Sequence, residues 1–89
     1  MAVTHGMNVE EVRRLGSQLK SVSEQINDIV RRLNAQVGST SWVGPDASRF
    51  KDQVWPEHRS QLARVSGDLQ SFGQTAMSNA AEQEQASGR

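Results

Sequence analysis

Two histidines, a scatter of serines and ten acidic side chains are the groups in this chain with chemistry to offer. Their spacing brings none of it together. A zinc site needs three or four His, Cys or carboxylate ligands converging on one point. Here there is no cysteine, no His-Glu-x-x-His, and no second His or Cys within four residues of His58. His5 stands near the start, in a segment that reads as a tail. No serine sits in Gly-x-Ser-x-Gly, and Gly44-Pro45-Asp46 is not a phosphate-cradling loop. Catalysis is therefore not expected, and no metal or cofactor is called for.

Charge is equally unspecific. Ten basic and ten acidic residues cancel, and a sequence pI near 6.7 leaves no electrostatic footprint for nucleic acid. Arg13-Arg14 and Arg31-Arg32 are interleaved with acids: Glu10 precedes Arg14 by four and Asp28 precedes Arg32 by four. Acid before base at that interval stabilises an exposed helix face, so these pairs read as solvated surface. No stretch approaches the roughly 18 apolar residues of a membrane span, and stable membrane insertion is not expected. Met1 to Gly6 show no basic region leading into an apolar run, so no cleaved leader is expected either.

The elements that carry these residues are helices. Asn8 is placed to cap the first, with Glu11 three residues on and Met7 able to pack on Val12. From there Val12, Leu15, Leu19, Val22, Ile26, Ile29, Leu33 and Val37 recur at intervals of three and four, a heptad stripe. Gly38 suits the left-handed residue that ends a helix. The spacing predicts a first helix over about 8–37, some 45 Å long at about 1.5 Å per residue. Pro45 fits the first position of a second helix, about 45–80. Its stripe is Ala47, Phe50, Val54, His58, Leu62, Val65, Leu69, Phe72 and Ala76. Pro56 falls inside it and, lacking a donor, predicts a kink around Asp52 to Pro56 or a restart there. Gly67 and Gly73 weaken helix propensity; they read as a loosely formed helix, or less readily as a close approach of a neighbour. Beyond Asn79 no large apolar side chain appears, so a further turn or two of helix at most and then a mobile tail to residue 89 are expected.

The bend, 38–44, is short, so the helices lie antiparallel as neighbours. Trp42 can cover the hairpin's end while keeping an indole donor for a carbonyl or water. It can also serve as a handle for a partner. Trp55, beside the stripe, reads as part of it more readily than as a partner anchor. The fold class is all-α: a helix–turn–helix hairpin whose stripes form the hairpin and dimer seams. With 89 residues, 35% of them hydrophobic and no cysteine, and a mean hydropathy of −0.65, a single core is marginal and a second subunit is the remaining support.

A hairpin of this length with Trp42-Val43-Gly44 in its bend, then Ala47 and Phe50 at the matching offsets of the second helix, resembles the WXG family of ESAT-like type VII secretion substrates, of actinobacterial type. The resemblance spans the whole chain. It implies a homodimer, or a heterodimer with a second WXG-type protein, packed as an antiparallel four-helix bundle. It implies export without a cleaved leader through a machine driven by a secretion ATPase, with a cytoplasmic pool before export. Family members pair the bend of one subunit, here Trp42 and Gly44, with a Tyr-x-x-x-Asp/Glu segment in the partner's tail. This chain has no tyrosine; Ser78 and Glu82 keep the interval without the ring. An intracellular chaperone or adaptor helix pair escorting a larger secreted toxin is the alternative reading.

Overall fold

The structure, a computed structural model, describes residues 7–87. His5 and the tail expected before Met7 lie outside them. Helix α1 spans Val9–Ser39, α2 Pro45–Arg49, and α3 Trp55–Ser87, with a π-helical turn at Phe50–Val54 joining the last two. Arg49, Phe50 and Trp55 all hold right-handed helical dihedrals, so Pro45 to Ser87 form one continuous arm that folds back along α1. The result is an antiparallel hairpin, 66 × 18 × 13 Å. Its radius of gyration is 19.5 Å, against about 12 Å for a compact chain of this length.

Local chemistry sets the helix starts. Asn8 is extended, and its side-chain oxygen accepts from the Glu11 amide at 3.0 Å, satisfying one of the orphan donors of the first turn. At the second start Gly44 has φ 118°, a left-handed value that only glycine adopts without strain. Pro45 follows at the first helical position, and the Ser48 amide bonds to the Gly44 carbonyl at 3.0 Å. The disturbance expected before Pro56 takes the form of the π turn, in which the Trp55 amide donates to the carbonyl of Phe50, five residues back. A proline at 56 would crowd the carbonyl of residue 52 in a regular α-helix; the wider turn accommodates the ring.

Three boundaries differ from the sequence reading. Gly38 does not end α1: it has no positive φ, and the helix runs through Ser39. Thr40 terminates it instead, sending its amide (3.0 Å) and hydroxyl (2.6 Å) to the Gln36 carbonyl, so a polar side chain satisfies the last turn without a left-handed residue. The bend shortens accordingly to residues 40–44. At the far end α3 continues past Asn79 to Ser87. Ala80 is completely buried and Gln83 nearly so, and Arg13 of α1 bridges to Glu84. Small residues, not large apolar ones, carry the packing there.

The main correction concerns the hairpin seam. Among the described residues, the buried positions are Gly16, Ser23, Ala47, Trp55, Ser66, Gly73, Ala80 and Gln83; no large member of either stripe is among them. Gly16 and Gly73 touch backbone to backbone: a Cβ on either would stand 2.8 Å from the other's carbonyl oxygen. Gly73 is thus a close approach, whereas Gly67 faces open space. Ser66 Oγ donates to the Ser23 carbonyl at 3.0 Å. With its one proton so used, it accepts from Ser23 Oγ at 2.8 Å. Trp55 Nε1 donates to Asn34 Oδ1 at 2.9 Å, an oxygen that also receives Arg59 Nη1 at 2.6 Å. Each step forward along α1, from 16 to 23 to 34, is matched by an equal step back along α3, from 73 to 66 to 55. These pairs are the rungs of one antiparallel register.

Candidate partner-binding face and bend

At about 100° per residue, the α1 stripe from Leu15 to Leu33 lies roughly a quarter turn to one side of the Gly16–Ser23 line. On α3 the stripe from Leu62 to Phe72 lies about the same angle, in the same sense, from the Ser66–Gly73 line. Antiparallel neighbours are related by a two-fold axis perpendicular to the plane of the hairpin, and that rotation keeps both stripes on one side. The stripes therefore do not form the centre of the seam: their inner members flank it, and side by side the two stripes make a single apolar face.

Burial agrees. Val12, Leu19, Val22, Ile26, Val37, Phe50, Val54, Leu62 and Leu69 are half-buried. Leu15 (55%), Ile29 (54%), Leu33 (41%), Val65 (46%) and Phe72 (66%) are exposed. Isolated exposed leucines are ordinary, but a contiguous apolar strip along a rod is the mark of an interaction surface. Of the stripe residues only Ala47 is buried outright. His58, on the same strip, is exposed and bonds Gln61 Oε1 through Nδ1 at 3.2 Å.

The charged residues stand elsewhere. Asp28 pairs with Arg31 at 2.7 Å and Arg32 at 3.2 Å on the side of α1 turned away from the stripe. Glu10 pairs with Arg13 at 2.8 Å and not with Arg14, because Arg13 leans toward α3, where it also reaches Glu84. All four pairs are substantially exposed, and such pairs are worth little individually.

The bend is a built structure. Lys51 Nζ donates to the carbonyls of Thr40 (3.3 Å) and Trp42 (3.1 Å), tying the turn to the second arm. The Trp42 ring rests on Phe50, centroids 6.0 Å apart and planes inclined at 44°. With Leu33 and Val37 these rings line an open cavity of about 220 Å³. Trp42 remains 44% exposed and Val43 90%, so the indole covers the hairpin's end and still offers a free edge. Trp55 belongs to the interior, 6% exposed, and is no partner anchor. Ser78 and Glu82 are exposed near the end of α3, at the opposite end of the rod from Trp42. Among the described residues no three His, Asp or Glu side chains cluster to hold a metal ion, and no helix is long and apolar enough to cross a membrane.

The seam is what the sequence reading missed. Gly16, Ser23, Ser66 and Ala80 carry no hydrophobic signal, and Asn34 and Lys51 read as surface. A usable signal existed: 16 and 23, and 66, 73 and 80, are small residues seven apart on both helices.

Compared with known proteins, the chain matches no family model, no curated protein and no solved structure.

Trp42→Ala is expected to keep most of the helicity, because the indole is half exposed and the Lys51 latch grips backbone. Circular dichroism checks this; collapse of the far-ultraviolet signal would show that the ring is a required plug.

Proposed function

We propose that this chain is a non-enzymatic half of an antiparallel four-helix bundle, a WXG-type substrate exported as a dimer by a type VII secretion system. The observation that carries the proposal is the uncovered face. Its half-buried members lie beside the seam, while Leu15, Ile29, Leu33, Val65 and Phe72 stand further out on both helices. A single docked helix would lie in the middle and leave the outer side chains wet. Two helices, the shape of a second hairpin, cover both rows. Trp42-Val43-Gly44 at the tip, with Gly44 in a conformation that suits glycine and Trp42 partly free, supports the resemblance to the WXG family.

The partner in this reading is a second copy or another WXG-type chain, and the driving machine is the secretion ATPase. Ser78 and Glu82 lie at the opposite end of the rod from this chain's own Trp42, so only a partner's tail in an antiparallel pair would meet that bend. The absent tyrosine favours a heterodimer in which the partner supplies the composite signal. It also supports a second reading, an intracellular adaptor that escorts a larger toxin.

Light scattering coupled to size exclusion tests the assembly. The expected mass is twice the 9.8 kDa of the chain, or a complex of that order with a partner; a well-folded monomer independent of concentration overturns it. Export is tested in culture supernatant with and without the secretion ATPase: loss of extracellular protein is expected on deletion. Unchanged extracellular levels reject this route, and retention in the cytosol on a large partner favours the adaptor.

A further inference from the structure

We propose that the rungs Gly16/Gly73, Ser23/Ser66 and Asn34/Trp55 select how the two helices are turned, and so decide that the apolar stripes face a partner and not each other. This rests on reading the exposed face as the partner's. The same two heptad stripes could close a different hairpin, in which each helix is turned by about a quarter turn and the stripes meet. Leu15, Ile29, Leu33, Val65 and Phe72 would then be covered within one molecule, and no face would remain. Hydrophobic burial alone does not disfavour that arrangement.

Three features hold the observed one. The Gly16–Gly73 contact brings backbone to backbone, an approach any Cβ would block at 2.8 Å. The Ser23–Ser66 pair closes two hydrogen bonds out of water. Trp55 is buried with its indole N–H on Asn34. Buried polar pairs that fix register at little gain in stability are an established use of such groups. Here the pairs fix rotation as well.

Because the chain has no cysteine, paired cysteines report the rotation directly. S23C/S66C replaces hydroxyls whose oxygens are 2.8 Å apart; L15C/F72C joins two exposed positions that come together only if the stripes meet. Oxidation is scored at monomer mass, so links between copies are excluded. The S23C/S66C disulfide is expected to form at least about tenfold faster than the L15C/F72C one, given the short span a disulfide tolerates. Adding G16A/G73A should equalise or reverse that ranking while helicity holds or rises, since alanine is the better helix former. Equal or inverted rates with the glycines intact would overturn the proposal, as would a ranking that G16A/G73A leaves untouched. A preferred Ser23–Ser66 link in a chain that stays monomeric at every concentration would remove the partner reading and leave the selector standing. A stable dimer whose links rank the other way would overturn the selector and show that the copies pair through another surface.

Discussion

Phe72→Glu is expected to split the proposed bundle into monomers, or to free the chain from its proposed partner, without touching a rung of the hairpin seam. Phe72 is the most exposed large side chain on the face, at 66%, so within one hairpin a carboxylate there sits in water and costs little. In the proposed assembly the same position is covered. The substitution forfeits the burial of an aromatic ring, about 1.5–3 kcal/mol, and strands an unpaired charge in an apolar interface. The dissociation constant should rise by at least about 100-fold. Sedimentation over a concentration series gives the measurement, with Phe72→Leu as the conservative control. An unaltered assembly mass would show that the partner, if there is one, binds elsewhere. Leu69→Glu answers a different question: Leu69 is half-buried beside the seam, so that variant should lose hairpin and assembly together.

Trp55→Ala is expected to be the most damaging single change to the fold. Among the described residues Trp55 is the largest buried side chain, and the other buried positions are glycine, alanine, serine and one glutamine. Truncating a buried tryptophan costs about 3–5 kcal/mol, a large share of the 5–15 kcal/mol that holds a typical domain. Thermal or urea unfolding followed by circular dichroism should show a broad, early transition or none. Trp55→Phe keeps a six-membered ring in place but loses the pyrrole part of the indole and with it the 2.9 Å bond to Asn34; its cost should be about 1–3 kcal/mol. The ordering Trp55→Ala below Trp55→Phe, with Trp42→Ala close to the parent, separates the interior tryptophan from the one at the bend. Equal stability of Trp55→Ala and the parent would mean that the seam as described is not what holds the hairpin.

The two tryptophans show where reading residues in order succeeds and where it stops. Trp55 read as part of the stripe, yet it is interior because it lies on the seam line with Ser66 and Gly73, against Asn34. Trp42 was recognisable as a bend residue because glycine and proline follow it. The helix starts at Asn8 and Pro45 and the disturbance before Pro56 were legible for the same reason: each depends on side chains within one turn of the feature. The end of α1 was misread because Thr40 caps it through a hydroxyl, and glycine at 38 offered a more familiar stop. The end of α3 was placed short of Ser87 because Ala80 and Gln83 signal burial only when α1 is known to lie against them.

What the residues alone determined is that two amphipathic helices, joined by a short glycine-bounded bend, must run antiparallel and that their large apolar side chains fall in heptad stripes. Periodicity says which side chains share a face of a helix. It is silent on which faces of two helices meet, because every rotation of a helix about its axis preserves its spacing. Only the tertiary structure chose among those rotations. It did so through contacts with no hydrophobic signature: a glycine backbone against a glycine backbone, one hydroxyl on another, an indole on an amide. Close approach and hydrogen bonding set the centre of the seam, and the outer members of both stripes are left together on one exposed face.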